Sequence, residues 1–370
     1  MAGIAFMLQI SLAPAPQEVV EAVEEIVVET ALDSASVFRI RLGIAQNDTG
    51  DWRFLQDDLF RPLDPIQIRL ALEEVPEALI NGYVSKQEVD YADEAGSSTL
   101  ELSGQDATIL MNLEEKVHLW ANMPDSAIAA QIFGTHTLLP RVEQTAAPKL
   151  TEPEGTTIQR GTDLRFLRRL AQRNGFDVYV QPEPLTGIDQ GFFRPREVTG
   201  GVKAVLNVSM GFRETNVSGF RVRYDMSQPT GAAAAALDSG TKQAQTAQVS
   251  TSTLASMGSE PTLSRLRQQP LVRPAGTGLV QSADLQSFAQ GIADASSFAV
   301  AIEGKIGPEQ GVLRPGEIVA VRGVGRLFNG LYLLTRVTHR IDRDSYVQQF
   351  EARRNAATMT GAEPYAEPFF

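Results

Sequence analysis

The sequence predicts a mainly β protein with a few helices, of the α+β class. Its first 110 residues alternate apolar and polar side chains at period two, the pattern of half-buried strands. Glycine and proline, 30 and 20 of the 370 residues, separate many short apolar runs, as turns between strands do. Residues 313–354 predict three consecutive strands, with turns at Pro315-Gly316 and Asn329-Gly330. We therefore expect two β domains, each a small barrel or sandwich, with helical segments between them.

The first β domain is expected over residues 1–115. An apolar run at residues 6–12 predicts its first strand, which Pro14 and Pro16 end. A signal peptide is the alternative for this start, although the basic residues that usually open one are missing.

A hairpin follows in the same domain. Residues 26–30 and 37–42 are apolar and β-branched, and they flank a turn-like pentapeptide. Residues 19–25 fit a short helix, although their β-branched side chains also suit a strand. The remaining strands of the domain are predicted at residues 66–72, 79–91 and 99–103.

Residues 116–175 are expected to form a helical connecting region. A first helix at residues 127–133 follows Pro124-Asp125-Ser126, where Asp or Ser can cap the free amides, and Gly134 ends it. A second helix at residues 164–173 follows the cap Thr162-Asp163 and ends at Asn174-Gly175, a pair that tolerates the left-handed conformation.

The second helix concentrates basic side chains. They either form a solvated face, with cations placed favourably near the helix C-terminus, or contact a neighbouring subunit. These candidate interface residues are Arg165, Arg168, Arg169 and Arg173.

The second β domain is expected to be split into residues 176–226 and 283–356. Strands are predicted at 176–181, 202–209 and 219–224, and a helix at 283–298. Residues 227–282 between the two parts are rich in Ala, Ser and Thr, which indicates a disordered linker or an arm ordered only by a partner. Residues 357–370 form an irregular tail, and we expect its aromatic side chains to dock on a partner: Tyr365, Phe369 and Phe370.

The three closing strands have a two-sided pattern. Residues 318–321 are apolar and β-branched, and residues 346–354 end in paired arginines. In the strand between them, alternation places one set of side chains on each face. The expected apolar set is Leu333, Val337 and Ile341, and the polar set is Arg336, Thr338 and Arg340.

Composition excludes several classes of protein. The chain has no cysteine, which rules out disulfides and thiolate sites and fits assembly in a reducing cytoplasm. A net charge of −12 argues against a general nucleic-acid binder, which needs clustered cations to neutralise phosphates. No apolar run approaches the length of about 18 residues that a membrane span needs.

No catalytic, metal or cofactor site emerges from the residues. His118, His136 and His339 lack zinc-ligand spacing and are expected in core or interface packing. Gly323-Val324-Gly325 leads into a turn and a strand, whereas a dinucleotide loop opens a helix. The acidic groups indicate solvated loops: Asp51, Asp57 and Asp58, Glu73-Glu74, and Glu114-Glu115.

Three segments, in order, resemble the hub region of phage late-control D proteins and VgrG-type spike proteins of contractile injection systems. The first is Asn81-Gly82-Tyr83-Val84, followed by the run from Leu102 to Asp106. The second is the helix and strand from Gly161 to Tyr179. The third joins the closing strands, with Pro315-Gly316, Gly330-Leu331-Tyr332, Val337-Thr338-His339, Tyr346, Phe350 and Arg353-Arg354.

The resemblance implies a structural function. Members of this family are trimers whose subunits each contribute two tube-like β-barrels, so the ring has pseudo-sixfold symmetry and joins a hexameric inner tube to a trimeric spike. This chain lacks the OB-fold and needle of full spike proteins, which implies a separate spike protein among its partners, beside the inner tube and other baseplate proteins. Such a protein is assembled in the cytoplasm and becomes part of a phage-tail-like particle.

Two other classes stay open from the residues. A tail-tip cell-wall hydrolase would need a glutamate or a His–Asp pair in a cleft, and none is evident in the sequence. A free-standing ligand-binding β protein is the second alternative.

Overall fold

The computed structural model of the chain describes residues 5–55, 59–72, 75–94, 96–146, 156–211, 214–237, 242–268, 270–273 and 282–363. Three short 3-10 helices lie at Ala107–Asn112, Thr262–Arg265 and Pro308–Gln310. The other elements follow in chain order: β1 Ala5–Ile10, β2 Ala13–Pro14, α1 Gln17–Ala22, β3 Val23–Ala31, β4 Val37–Gly43, β5 Pro65–Ala71, β6 Glu77–Asp90, β7 Thr99–Asp106, β8 Lys116–Ala121, α2 Asp125–Thr135, β9 Leu139–Val142, β10 Thr156–Gly161, α3 Asp163–Asn174, β11 Phe176–Pro182, β12 Asp189–Pro195, β13 Val202–Asn207, β14 Ser218–Tyr224, β15 Gly231–Leu237, β16 Ala244–Val249, β17 Glu260–Pro261, β18 Leu271–Val272, α4 Ser282–Ser296, β19 Val300–Ile306, β20 Ile318–Arg322, β21 Gly330–Asp342, β22 Tyr346–Arg354 and β23 Ala356–Ala357.

One large sheet dominates the fold, which confirms the predicted mainly β, α+β class. Its strand order is β14-β19-β22-β21-β3-β4-β7-β6-β5-β1-β2, and β20 adds to β21 and carries β13 on its other side. Strands β1 to β7 form the first half of the sheet, and the second half consists of β13, β14 and β19 to β22. The pairings among the described strands do not close either half into a barrel, so the barrels and the domain boundaries stay predictions.

The two halves join through a single antiparallel pairing between β21 and β3. It runs from Arg336 opposite Ala31 to Asp342 opposite Glu25. The predicted hairpin of β3 and β4 and the meander of β20, β21 and β22 are both confirmed, and β21 is the strand that connects them.

Each half packs its own apolar core beneath the sheet. In the first half, Phe38, Ile40 and Ile68 belong to a cluster of fully buried side chains. In the second half, Tyr332, Val337 and Phe350 belong to a second cluster of fully buried side chains. Burial of such side chains contributes about 1.5–3 kcal/mol each. The first cluster also contains Val312, Ile341 and Tyr346 of the second half, so the two halves share part of this core.

Glycines make room for the largest side chain of the first core. A Cβ at Gly82 would lie 2.6 Å from the ring of Phe38, and a Cβ at Gly104 would lie 2.4 Å from the same ring. Gly104 of β7 lies opposite Phe38 of β4 and Val84 of β6, and Gly82 of β6 lies opposite Asp106 of β7. The Asn81-Gly82-Tyr83 motif therefore has a packing cause.

The paired arginines at the end of β22 have a similar explanation. The buried guanidinium of Arg354 donates to the carbonyl of Asn329 at 2.8 Å and to that of Leu327, and it lies 4.9 Å from the ring centre of Tyr332. A Cβ at Gly330 would lie 2.4 Å from this guanidinium. Gly330, the first residue of β21, also has φ +139°, and Gly323 and Gly325 in the connection before it have φ +89° and +83°, conformations that favour glycine.

The predicted apolar face of β21 needs one correction. A bulge between Leu334 and Arg336 inserts one residue into the strand. Side chains before the bulge therefore point to the opposite face from the one that simple alternation predicts. Leu334 therefore packs with Val337 in the second core, whereas Leu333 packs on the opposite side with Tyr179 and other buried residues.

The two predicted helices of the connecting region are present, with corrected ends for the first. In α2 the N-cap is Pro124, without a side-chain cap, because the carboxylate of Asp125 binds Arg173 and Asn174 instead. Gly134 does not end α2, which continues to Thr135. In α3 the hydroxyl of Thr162 accepts from the amide of Arg165, and Gly175 closes the helix at φ +70°, as predicted.

These helices form a third core with five strands, of which the sequence predicted β11, at residues 176–181. Strands β9, β11 and β12 make a separate three-stranded sheet, and β8 pairs with β10 in a two-stranded ribbon. Phe133, Phe166 and Phe193 are buried between them. Strand β12 thus pairs with β11 on one side and with β9 on the other, in a sheet separate from the large one.

The Ala-rich segment is ordered against its own chain in its described parts, which corrects its interpretation as a disordered or partner-ordered arm. Strands β15 and β16 form a hairpin whose Ala232 and Ala234 pack on Leu285, Ala289 and Ala293 of α4. Small side chains on both surfaces let the helix approach the sheet closely.

Helix α4 also crosses the end of α3 at a pair of glycines. A Cβ at Gly291 would lie 2.6 Å from the Cα of Gly175, whose left-handed backbone has little freedom to move. This contact holds the hairpin and α4 against the connecting region.

We predict that Gly291→Ala destabilises the protein. The added methyl group overpacks a backbone contact at a cost of about 1–3 kcal/mol, which exceeds the gain of about 1 kcal/mol that alanine brings to a helix. Denaturant unfolding measures the difference. The matched control is Gln286→Ala, an exposed site on the same helix that should be neutral. A Gly291→Ala protein as stable as the wild type would contradict the close crossing.

Candidate functional site

The candidate functional site is the polar face of the large sheet, opposite its two cores. At the junction of the halves, Arg336 of β21 pairs with Glu29 of β3 and lies 3.3 Å from Asp33. Arg340, four residues further along β21 on the same face, pairs with Glu25. These pairs link the two halves across the solvent side of the junction.

Strand register carries this face across eight strands. Residues opposite each other in an antiparallel pair point to the same side, so the pairings identify the members. They are Arg221 and Arg223 of β14, Glu303 and Lys305 of β19, Gln349, Glu351 and Arg353 of β22, Arg336, Thr338 and Arg340 of β21, Glu25, Val27 and Glu29 of β3, Arg39 and Arg41 of β4, Glu101, Ser103 and Gln105 of β7, and Lys86 and Glu88 of β6.

Charges of both signs alternate along this polar face. Arg221 lies 3.0 Å from Glu303, Arg39 lies 3.9 Å from Glu101, and Lys86 pairs with Glu88. Exposed pairs of this kind contribute little stability each, about 0–1 kcal/mol. Their consequence is a hydrated surface without a strong field of one sign.

Beneath the junction, on the core side, lies a set of buried polar side chains that includes His339 and Arg314. His339 is 1% exposed, and its Nδ1 lies 2.8 Å from the hydroxyl of Tyr346. Burial, and then the nearby Arg314, lower the pKa of His339 to about 3, so the ring is neutral. Arg314 itself reaches the first half, where its guanidinium lies 3.0 Å from the carboxylate of Glu77. The core interpretation of His339 is confirmed.

A second polar contact joins the first half to the three-stranded sheet. Asn81 donates to the carbonyl of Gly187 at 2.6 Å and to the carboxylate of Asp189 at 3.0 Å. Burial raises the pKa of Asp189 to about 7, against the hydrogen bond from Asn81, and the neighbouring Asp106 adds to the rise.

The helical region contains a His–Asp pair that the sequence did not reveal. Asp163, at the start of α3, accepts from His136 at 2.9 Å, Lys116 at 2.8 Å and Gln159 at 2.7 Å. Burial alone would raise the pKa of Asp163, but these three donors hold it well below its usual range. The carboxylate therefore serves as a fixed acceptor that ties four elements together, with its oxygens already occupied.

The structure separates the four candidate interface arginines. Arg165, Arg168 and Arg169 are exposed, and Arg165 lies 3.1 Å from Glu115. Arg169 donates to the carbonyl of Ile158 at 3.1 Å and lies over the ring of Phe166. Arg173 instead binds Asp125 within the chain, so three of the four side chains are available to another molecule.

The tail aromatics, the acidic groups and His118 are the other residues that the sequence analysis singled out. Tyr365, Phe369 and Phe370 lie outside the described residues, as do Asp57, Asp58, Glu73 and Glu74. Glu114 and Glu115 are exposed, as expected for a solvated loop, and Lys116 and Arg165 are their respective ion-pair partners. His118 is exposed and contacts the ring of Trp120 edge to face at 4.5 Å.

The sequence analysis missed the acidic partners on β3. Glu25 and Glu29 lie on the side of β3 opposite Ile26 and Val28, with Val27 buried between them, so the two charges were a signal for a polar side of this strand. What could not be deduced was that β3 lies beside β21, because the hydrogen-bonded groups are about 300 residues apart, as the separation of 307 between Glu29 and Arg336 shows.

Across the described ranges, no three histidine or acidic side chains are grouped so as to hold a metal ion. Within the same ranges no helix has the length and apolar character to cross a membrane.

The fold is similar to that of several phage tail proteins. The 43 kDa tail protein of prophage MuSo2 from Shewanella oneidensis matches with a TM-score of 0.66 and 12% identity, over 95% of this chain and 98% of that one. The tail protein of Neisseria meningitidis MC58 matches with a TM-score of 0.65 and 14% identity, over 98% of this chain and 100% of that one. The c3393 protein of E. coli, a type VI secretion component with structural similarity to the T4 tail proteins gp27 and gp5, matches with a TM-score of 0.57 and 14% identity, over 97% of this chain and 77% of that one.

The chain itself belongs to the Alg8 N-terminal domain family, whose model matches residues 5–343. None of the curated proteins matches the sequence significantly.

We predict that His339 makes stability depend on pH. The unfolded histidine titrates near 6.5 and the folded one at about 3, so the unfolded state binds more protons in this window and stability falls as pH decreases below 6.5. Between pH 7.5 and 5 the loss is about 2 kcal/mol. Asp189 acts in the opposite direction, because its raised pKa makes the folded state bind the extra proton between pH 7 and 3.8.

A comparison of variants isolates the histidine term. The difference in unfolding free energy between the wild type and His339→Gln should shrink by about 2 kcal/mol from pH 7.5 to pH 5, since Asp189 contributes equally to both proteins. His118→Gln, at an exposed site, is the control and should track the wild type. A difference that stays constant with pH would show that His339 is not held neutral.

Proposed function

We propose that this chain is the structural baseplate hub of a contractile phage-tail-like injection system. Three copies form a ring of pseudo-sixfold symmetry that joins the hexameric inner tube to the trimeric spike. The observation that carries the proposal is the single sheet that runs through both halves of the chain and presents one continuous polar face.

The first argument concerns symmetry. The chain has two sheet halves, and each has an apolar core on one side and a polar face on the other, so the chain presents two units of the same kind. Three copies present six such units, which is the number that a sixfold tube requires, while the ring keeps the threefold symmetry of a spike.

The second argument concerns the polar face. A wall around a water-filled lumen must be hydrated, and it must not trap what passes. The alternating pairs from Arg221 and Glu303 to Arg39 and Glu101 satisfy both conditions. We assign this face to the lumen and place helix α3, with Arg165, Arg168 and Arg169, at the periphery of the ring, where other baseplate proteins bind.

The third argument is the fold. The tail proteins from Shewanella oneidensis prophage MuSo2 and from Neisseria meningitidis share it, with TM-scores of 0.66 and 0.65. The type VI secretion component with the same fold is described by its similarity to gp27 and gp5, which supports a hub of the late-control D and VgrG kind. We propose assembly in the cytoplasm, followed by incorporation into a phage-tail-like particle, with a separate spike protein and an inner tube protein as partners.

A tail-tip hydrolase is the rival function, and the His136–Asp163 pair is the feature to weigh. Lys116 and Gln159 already occupy the oxygens of Asp163, and the pair bridges packed elements beneath α3. A turbidity assay on peptidoglycan separates the two functions, since the hub is expected to leave turbidity unchanged.

We predict that the purified protein is a trimer. Native mass spectrometry and light scattering at micromolar concentration should give three times the chain mass of 40.2 kDa. A stable monomer under these conditions would count decisively against a ring-forming hub.

We also predict that the aromatic tail contributes to spike attachment. Replacing Tyr365, Phe369 and Phe370 together by Ser should weaken co-purification with the spike by about tenfold or more, because buried aromatic anchors dominate interfaces. The trimer itself should be unaffected. Unchanged co-purification would assign the spike contact to another surface.

A further inference from the structure

The chain divides its charge unevenly between its two parts. Residues 1–115 contain 22 acidic and 6 basic side chains, a net charge of −16. Residues 116–370 contain 23 acidic and 27 basic side chains, a net charge of +4. The net value of −12 for the whole chain hides this opposition.

The second half ends in an open strand with basic side chains. Among the described strands, β14 has a neighbour on one side only, so its other edge presents free backbone groups. Arg221 and Arg223 are exposed on it, and with Arg353 they border a hollow of about 140 Å³ that also contains Glu303 and Glu351. Within the described residues, neither Arg223 nor Arg353 has a carboxylate in ion-pair range.

The first half has an open edge of the opposite charge. Strand β6 pairs with β5 only as far as Tyr83, whereas its pairing with β7 continues to Asp90. Residues 85–90 therefore have one open edge among the described strands. Glu88 and Asp90 are exposed there, and Asp93 and Glu94 follow in the adjoining turn.

The two edges match in spacing as well as in charge. Arg221 and Arg223 are two residues apart on one strand, and Glu88 and Asp90 are two residues apart on the other, so each pair lies on one face. Register places both pairs on the polar face of the sheet. Opposite charges across neighbouring strands stabilise pairing, and like charges oppose it.

We propose that copies of this chain associate head to tail, with the β14 edge of one copy paired to residues 85–90 of the next. Arg221 and Arg223 of one copy face Glu88 and Asp90 of its neighbour, and the polar face continues from copy to copy. A twofold contact would oppose the two arginine edges, whereas a head-to-tail contact opposes arginine to carboxylate and can close into a ring. This inference rests on the proposed ring and specifies its interface.

The test combines salt and charge reversal in the full chain. Sedimentation velocity at 50 and 500 mM NaCl should show that the dissociation constant of the wild-type trimer is about tenfold higher at the higher salt concentration, because screening weakens exposed charge pairs. Arg221→Glu with Arg223→Glu should weaken the trimer about tenfold or more at low salt. Adding Glu88→Lys and Asp90→Lys in the same chain should restore it to within about threefold of wild type.

Two controls keep the result interpretable. Arg267→Glu with Arg273→Glu makes the same change in net charge at exposed sites away from both edges and should leave the trimer intact. If the reversed pair fails to fold by circular dichroism, Arg221→Gln with Arg223→Gln replaces it, with a smaller loss expected. A trimer insensitive to reversal at β14 would overturn this interface and leave the ring standing, whereas a wild-type monomer at both salt concentrations would overturn the ring itself.

Discussion

The antiparallel pairing of β3 with β21 is the interaction on which the rest of the structure depends. Each half has its own hairpins, but among the described strands this pairing alone makes them one sheet. Ion pairs support it on both sides: Arg336 and Arg340 pair with glutamates of β3 on the solvent side, and Arg314 pairs with Glu77 of the first half on the core side. Without it, the polar face would be two short surfaces at an undefined angle.

Local chemistry made much of the fold predictable. Period-two alternation gave the strands of the first half, and Thr162 with Gly175 gave both ends of α3 because caps act through neighbouring residues. The Leu333 assignment failed because a bulge leaves no mark in an alternating sequence. The Ala-rich hairpin failed for a related reason, since alanines indicate disorder until a helix of matching small residues is known to cover them.

The candidate site was predictable only in part. The polar set of β21 could be deduced from its own sequence, but its partners on β3 could not, because pairing between distant strands depends on the topology of the whole chain. The His136–Asp163 contact was missed likewise, although the cap residues around Asp163 were recognised. Side chains that bond across elements are the part of a site that a linear pattern does not contain.

The separation of the two joined strands also has a consequence for synthesis. β3 leaves the ribosome early, yet its neighbour β21 follows about 300 residues later, so the first half must wait with an unpaired apolar and charged border. Loop closure over such a span is slow, and the exposed border invites wrong partners during the delay. A chain truncated before Gly330 cannot complete the sheet. The two halves therefore become one sheet only after translation has passed β21.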